Sequence, residues 1–173
     1  MSEASHLRRR LSATFYTDGA CSGNHRSGRQ GRMGAGIVGI ADDYRREWSV
    51  PLGPGTNQMA ELLAVKTALL KIKDRQRTQV TIITDSQYAI GCLTGGWKVV
   101  ANRELVEVLR PLIAECASFR MQKVLGHAGQ AENERADRLA VAATQEGAIE
   151  PCERVEAKDT SDAPGEPEAV HEP

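Results

Sequence analysis

The order of extended and helical segments along the chain is the feature that most restricts its fold. Strand-like patterns occupy residues 12–18, 33–41, 43–50, 79–84 and 119–125, and helical patterns occupy 58–73, 86–93, 102–117 and 131–145. The second and third strands form a predicted hairpin around Asp42 and Asp43. Three strands followed by alternating helices and strands predict an α/β fold with one five-stranded mixed sheet. Its first three strands are antiparallel, its last ones are parallel, and helices flank it.

The 173 residues divide into one domain and two terminal segments. Residues 1–11 form a basic N-terminal extension, and residues 12–146 form the domain. Residues 147–173 form an acidic tail rich in Pro and Glu. We expect this tail to be disordered because it has almost no aliphatic side chains to bury.

Charge is distributed unevenly between the domain and the tail. Of the 22 basic and 23 acidic residues, the tail holds two and eight, which leaves 20 and 15 in residues 1–146, a net charge of +5. A basic body suits a polyanionic partner. The tail itself has three possible roles: a solubilising extension, a partner-binding segment, or an internal competitor for the basic surface.

Cysteine usage and hydropathy indicate a cytoplasmic protein. The four cysteines are far apart in the chain and form no Cys-x-x-Cys pair, which favours free thiols over zinc or disulfides. No segment approaches the roughly 18 apolar residues that a membrane span requires, and residues 1–11 are too polar for a signal peptide. We expect a monomer that does not associate with membranes.

Four carboxylates occur where strands end or in helices. Asp18 ends the first strand, Glu61 lies in the first turn of a helix, Asp85 follows the buried strand 79–84, and Asp137 lies in the last helix. A single acid in such a position is usually a cap or a turn residue. Four together favour a shared site for a hard divalent cation such as Mg²⁺, which binds carboxylate oxygens.

Five blocks of sequence resemble the motifs of type 1 ribonuclease H, in the order and at the spacings of that family. They are Tyr16–Ala20, Asn57–Glu61, Thr84–Tyr88, Gly126–Gly129 and Asn133–Asp137, and the resemblance covers about residues 12–146. It implies the ribonuclease H fold, in which the acids converge at the centre of the sheet. It also implies an endonuclease that hydrolyses the RNA strand of RNA–DNA hybrids and leaves 5′-phosphate and 3′-hydroxyl ends.

The resemblance assigns a catalytic set of Asp18, Glu61, Asp85, His127 and Asp137. Two Mg²⁺ ions, or Mn²⁺ as a substitute, are expected as cofactors. Asp18 would bridge both ions, Asp137 would help to hold the ion on the nucleophile side, and the other two acids would hold the second ion. His127 lies in the loop before the last helix, where it would carry protons or assist product release.

Five further residues are candidate substrate contacts: Asn24, Thr56, Asn57, Gln87 and Trp97. The amide side chains can read bases and 2′-hydroxyls, and Thr56 matches a residue that contacts a phosphate of the DNA strand. Trp97 would line the DNA-strand channel by stacking. A turn role for Asn24 and Thr56, and a packing role for Trp97, are the alternatives.

The chain departs from the family pattern in how it would hold its substrate. Only eight residues, 94–101, separate the two mid-chain helices, so the basic protrusion of many relatives is missing. Leu125 replaces a residue that is commonly basic, whereas the loop 25–32 is longer and richer in arginine than is usual. We therefore expect weaker substrate binding unless this loop or Arg8–Arg10 compensates. Two alternative functions are a same-fold nuclease that acts on another nucleic acid and a non-catalytic hybrid-binding module.

Overall fold

A computed structural model describes residues 10–23, 31–42, 44–124 and 130–145, together with the backbone of 154–157. The strands are β1 (Leu11–Ser22), β2 (Gly31–Ala41), β3 (Tyr44–Gly55), β4 (Thr78–Thr84), β5 (Ser118–Lys123) and β6 (Arg154–Ala157). The helices are α1 (Asn57–Leu70), α2 (Gln87–Leu93), α3 (Arg103–Ala114) and α4 (Gln130–Ala143). None of the helices in these ranges is long and apolar enough to cross a bilayer.

The strands form a single sheet in the order β5-β4-β1-β2-β3-β6. β1, β2 and β3 pair antiparallel, whereas β1, β4 and β5 pair parallel, which confirms the predicted five-stranded mixed sheet. β6 adds a sixth strand, antiparallel to β3. For residues 154–157 this corrects the expectation of disorder: the open backbone groups of an edge strand accept an additional strand, whatever its composition. The rest of the tail lies outside the described residues.

Alternation along β1 gives the sheet two distinct faces. Ala13 and Phe15 point into the main core, which also contains Val80 and Ile82 of β4 and the buried side chains of α1. On the opposite face, Tyr16 packs against a small cluster formed by Val38, Ala136 and Leu139. α1 and α4 therefore cover opposite faces of the central strands.

The helices begin close to the residues that the sequence indicated. Thr56 caps α1, and its hydroxyl accepts a hydrogen bond from the Met59 backbone N–H. Ser86 caps α2 in the same way through Ala89, in agreement with the helical pattern predicted from residue 86 onward. α2 ends at Leu93 and α3 begins at Arg103, so the connection between them is short, again as predicted. The helix predicted over residues 58–73 ends earlier, at Leu70, and a single 3₁₀ turn follows at Arg75–Arg77.

Candidate metal site

α1 meets β1 at a glycine, close to the start of the helix. A Cβ at Gly19 would overlap the backbone of Ala60 and Glu61. Since glycine alone leaves this space free, the backbone of α1 can come into direct contact with β1. The contact brings the Glu61 carboxylate next to Asp18, the residue that precedes the glycine.

A second glycine brings α4 onto the other face of the sheet. Gly36 of β2 pairs with Asp18 in the β1–β2 register. A Cβ at Gly36 would overlap the Ala136 carbonyl oxygen and the Ala140 backbone nitrogen. α4 therefore lies directly on the sheet at this point, and Asp137 is held beside Asp18.

Parallel pairing of β1 and β4 places the third acid, Asp85, opposite Asp18 at the end of the neighbouring strand. Tyr16 pairs with Ile83 in this register, so Asp18 and Asp85 both lie two residues further along the strand direction. The turn after β4 is fixed by local hydrogen bonds. The Ser86 N–H donates to Thr84 Oγ1 at 3.1 Å, and Ser86 Oγ accepts from the Ala89 N–H at 3.1 Å.

The carboxylates converge into a compact cluster. One carboxylate oxygen from each of Asp18, Glu61 and Asp85 lies within 4.8 Å of the others. Asp18 is buried, Glu61 is partly buried and Asp85 is exposed, so the cluster opens to solvent on the side of Asp85. Asp137 lies close enough to Asp18 to raise the pKa of that carboxyl through its charge and through a hydrogen bond. Several carboxylate oxygens facing one point form the donor set that Mg²⁺ or Mn²⁺ prefers, so these residues fit such an ion.

The electrostatics of the cluster favour a bound cation. Burial, followed by the charges of Asp85 and Asp137, raises the pKa of Asp18 to about 7. Burial, followed by the charges of Asp18 and Asp85, raises the pKa of Glu61 to about 8. The Gly19 backbone N–H lowers both pKa values, but by less than these causes raise them. Carboxylates that raise one another's pKa values release this repulsion when a cation binds between them.

Three of the expected substrate contacts lie at helix starts beside the cluster. Thr56 caps α1, Asn57 is the first residue of that helix, and Gln87 is the first residue of α2. All three are exposed. The cap bond of Thr56 uses its oxygen as an acceptor, at 3.3 Å from the Met59 nitrogen, and leaves the hydroxyl proton available to a ligand.

Trp97 packs on α2 while half of its surface stays exposed. Its ring lies edge-on to Tyr88 with 6.3 Å between the ring centroids, and a Cβ at Gly91 would overlap it. The Trp97 backbone N–H also donates to the Gly91 carbonyl at 3.0 Å. Its packing role is therefore present, and the exposed half of the indole (49% of the residue's surface) remains available for stacking.

The remaining predicted site residues lie outside the described part of the chain. Asn24 and His127 belong to this group, as do residues 25–30 of the arginine-rich loop and Leu125. Their roles stay predictions.

An ion-pair network that the sequence did not predict fixes the start of α4. Arg45 Nη2 lies 2.7 Å from Glu132 Oε2, and Arg45 Nη1 lies 2.6 Å from Glu47 Oε1. The other oxygen of Glu47 accepts two hydrogen bonds from Arg135, at 2.6 and 2.9 Å. One sign of the network in the sequence is that Arg45 and Glu47 carry opposite charges two residues apart on β3. This spacing places both side chains on the same face of the sheet. The network ties β3 to the helix turn that carries Asp137.

Replacing Arg135 with glutamine should therefore destabilise the protein by about 1–2 kcal/mol, because hydrogen bonds to charged partners contribute more than neutral ones. Urea unfolding monitored by circular dichroism gives the free energy of unfolding. The matched control is Arg110→Gln, at an exposed position of α3, for which we expect a change below about 0.5 kcal/mol. Equal effects of the two substitutions would show that the network does not hold α4.

Comparison with known protein families agrees with this geometry. The family model described as RNase H matches residues 10–145. A ribonuclease H of Desulforamulus reducens is 37% identical over 147 residues, which cover 77% of this chain and 87% of that protein. A ribonuclease HI of a Synechocystis species is 34% identical over 148 residues, covering 78% and 88%.

Solved structures show the same fold. LC11-RNase H1, isolated from compost by a metagenomic approach, matches with a TM-score of 0.62 at 23% identity and covers 77% of this chain and 95% of its own. RNase H1 of the halophilic archaeon Halobacterium salinarum matches with a TM-score of 0.58 at 27% identity, covering 76% and 96%. The sheet and helices described above are thus those of a known structural family.

Proposed function

Because the chain belongs to the RNase H family, we propose that it is a metal-dependent endonuclease that hydrolyses the RNA strand of RNA–DNA hybrids. The observation that carries this proposal is the convergence of Asp18, Glu61 and Asp85, with carboxylate oxygens within 4.8 Å of one another. Asp137 beside Asp18 supplies the fourth acid. The enzyme would act as a monomer in the cytoplasm.

The four carboxylates would hold two Mg²⁺ ions, with Mn²⁺ as a substitute. When bound, such a pair supplies a nucleophilic water and neutralises the leaving 3′-oxygen, which gives 5′-phosphate and 3′-hydroxyl ends. Asp18, the buried acid at the centre, would bridge the two positions. Asp137 would complete the position on the nucleophile side, and Glu61 and Asp85 would complete the other.

The residues around the cluster would position the two strands. Asn57 and Gln87 would hydrogen-bond bases and 2′-hydroxyls, since a 2′-hydroxyl distinguishes RNA from DNA. Thr56 would donate its free hydroxyl proton to a phosphate of the DNA strand, at the N-terminus of α1, where backbone N–H groups also favour an anion. The exposed half of Trp97 would stack on a sugar or base of the same strand.

Two residues outside the described part of the chain complete the proposal. Asn24 would contact the hybrid. His127 would accept or deliver a proton near neutral pH, in the range where an unperturbed imidazole changes its charge.

A cleavage panel tests the proposal directly. Labelled RNA–DNA hybrid, double-stranded RNA and double-stranded DNA are incubated with the protein in Mg²⁺ or Mn²⁺, and the products are resolved on a gel. We expect cleavage of the hybrid in its RNA strand alone, and none without a divalent ion. Asp18→Asn should show no turnover, whereas Asp74→Asn, at the other end of α1 from the cluster, should cleave normally.

The panel also separates this activity from other nuclease activities. Cleavage of double-stranded DNA at a rate similar to that of the hybrid would mean a same-fold nuclease with another substrate. Hybrid binding without cleavage by the unaltered protein would mean a binding module.

A further inference from the structure

One face of the sheet is covered by a helix over only part of its width. α4 packs against β1, β2 and β3. The other three helices lie on the opposite face, where their side chains join the main core with Phe15, Ile82 and Met121. Within the described ranges, β4 and β5 therefore have no helix over their second face.

A polar groove of about 330 Å³ occupies this open face. The polar residues that line it are Ser12, Thr14, Gln79, Thr81, Ser118 and Arg120. Among the described residues, its lining contains one cation and no carboxylate. Two other surface grooves differ in this respect, because Glu107 lines one and both Asp42 and Asp74 line the other.

The single cation of this lining is available to a ligand. Arg120 is exposed, and its Nε donates a hydrogen bond to Thr81 Oγ1 at 2.9 Å. Arg120 forms no ion pair with any described residue, so both of its Nη groups can donate to a new acceptor. A guanidinium held by one hydrogen bond, with a free fork of donors, suits a phosphate.

The groove lies on the same face of the sheet as Asp18. Thr14, Tyr16 and Asp18 alternate along β1 and so point to the same face of the sheet. At about 3.3 Å per residue, Thr14 lies roughly 13 Å from Asp18 along the strand. This length corresponds to about four nucleotide steps along one strand of a duplex.

We propose that this groove binds the single-stranded continuation of the RNA strand beyond the phosphate at the carboxylate cluster. Arg120 contacts a backbone phosphate, and the hydroxyl and amide side chains of Thr14 and Gln79 hydrogen-bond ribose 2′-hydroxyls. These contacts follow the strand direction of the sheet and require no particular base.

The one aromatic residue in the described lining of the groove is Phe119, and its side chain packs against the main core on the other face of the sheet. The described lining thus presents no ring to a base, and recognition in the groove rests on phosphate and ribose. The inference rests on the proposed function, since the strand bound in the groove is the one that the carboxylates would cleave.

Binding measurements on Asp18→Asn protein test the inference without turnover. Fluorescence anisotropy gives the Kd for a blunt hybrid and for the same hybrid with an RNA overhang of about ten nucleotides at either end, which is long enough to cover the groove. We expect one overhang to tighten binding by about three- to tenfold at low salt, and less at high salt. Adding Arg120→Gln should remove this gain and leave the Kd of the blunt hybrid unchanged.

Two further variants make the test specific. Ser118→Glu places a carboxylate in the groove without removing a contact of Arg120, and it should also abolish the gain. Arg110→Gln removes an equal charge from α3, on the other face of the sheet, and should preserve the gain. No gain from an RNA overhang at either end, an equal gain from a DNA overhang, or a gain that survives Arg120→Gln would overturn the inference.

The inference and the proposed function can fail separately. If the unaltered protein does not cleave the hybrid in Mg²⁺ or Mn²⁺, the proposed function is wrong, whatever the overhang does to the Kd. If the hybrid is cleaved normally and Arg120→Gln leaves the gain from the overhang intact, only the groove assignment is wrong.

Discussion

Asp18→Asn should abolish cleavage and, in metal-free buffer at pH 9, raise the free energy of unfolding by about 3 kcal/mol. Turnover should fall by about 10³-fold or more, a loss of at least roughly 4 kcal/mol of transition-state stabilisation. The gain in stability has a separate cause. Asp18 is buried beside two other acids, so its ionised form is repelled in the folded protein and solvated in the unfolded chain.

The pKa shifts set the pH range of this effect. Asp18 and Glu61 have folded-state pKa values of about 7 and 8, above their ordinary values of 3.8 and 4.5. Both groups therefore bind protons more tightly in the folded protein, and the stability that this contributes is complete below about pH 4. It is lost as the pH rises through about 7 and 8. One pKa unit corresponds to about 1.4 kcal/mol, so the loss amounts to a few kcal/mol for each of the two groups.

Urea unfolding at pH 4 and pH 9, with chelator present, measures the effect. At pH 4, near the ordinary pKa of 3.8, the unfolded chain gains little by ionising Asp18, so the two proteins should differ by less than about 1 kcal/mol. Asp74→Asn serves as the control, since Asp74 lies away from the cluster. An Asp18→Asn protein that is less stable than the unaltered protein at pH 9 would contradict the electrostatic argument.

Adding metal should reverse the order of stability. At about 1,000 times its Kd, a ligand that binds only the folded state stabilises a protein by about 4.1 kcal/mol, which exceeds the gain of about 3 kcal/mol expected from Asp18→Asn. Mn²⁺ or Mg²⁺ should therefore stabilise the unaltered protein at pH 9 and have little effect on Asp18→Asn.

Gly36→Ala should destabilise the protein by about 3 kcal/mol or more and impair the site at the same time. The added Cβ would overlap backbone atoms of Ala136 and Ala140, and backbone cannot rotate away as a side chain can. α4 must move off the sheet, which costs packing energy at a buried contact. The same movement separates Asp137 from Asp18. We expect weaker Mn²⁺ binding by calorimetry and slower hybrid cleavage.

The control for this substitution is Gly96→Ala in the short α2–α3 connection. A Cβ there has its nearest neighbour at 4.0 Å, so the free energy of unfolding should change by less than about 0.5 kcal/mol. If Gly36→Ala were as mild as Gly96→Ala, the close approach of α4 to β2 would not be what places Asp137.

Local pattern was enough to predict most of the fold. The β-branched run at Val80–Ile83 marked the buried parallel strand, and Ser86 marked the start of α2. The prediction failed for residues 154–157, because a strand on a sheet edge is held by backbone hydrogen bonds that composition does not reveal. Composition therefore indicates where a core cannot form, but not where a single additional strand can pair.

The acids could be found from sequence, but the contacts that bring them together could not. Asp18 and Asp85 stood out as acids at strand ends. The β1–β4 register places them side by side. The roles of Gly19 and Gly36 depend on which backbone lies above each glycine. The partnership of Glu47 with Arg135 joins residues 88 positions apart, a distance over which local pattern carries no signal.

The position of β1 at the centre of the sheet also has a consequence during protein synthesis. Asp18 leaves the ribosome early, but its neighbours on the sheet come from β2 and β4, and Asp137 follows Asp18 by 119 residues (137 − 18). At about 5–20 residues per second, that interval lasts roughly 6–24 s. A nascent chain therefore holds an incomplete acid set until α4 has been made. Hybrids close to the translating ribosome would meet the assembled site only after nearly the whole domain has emerged.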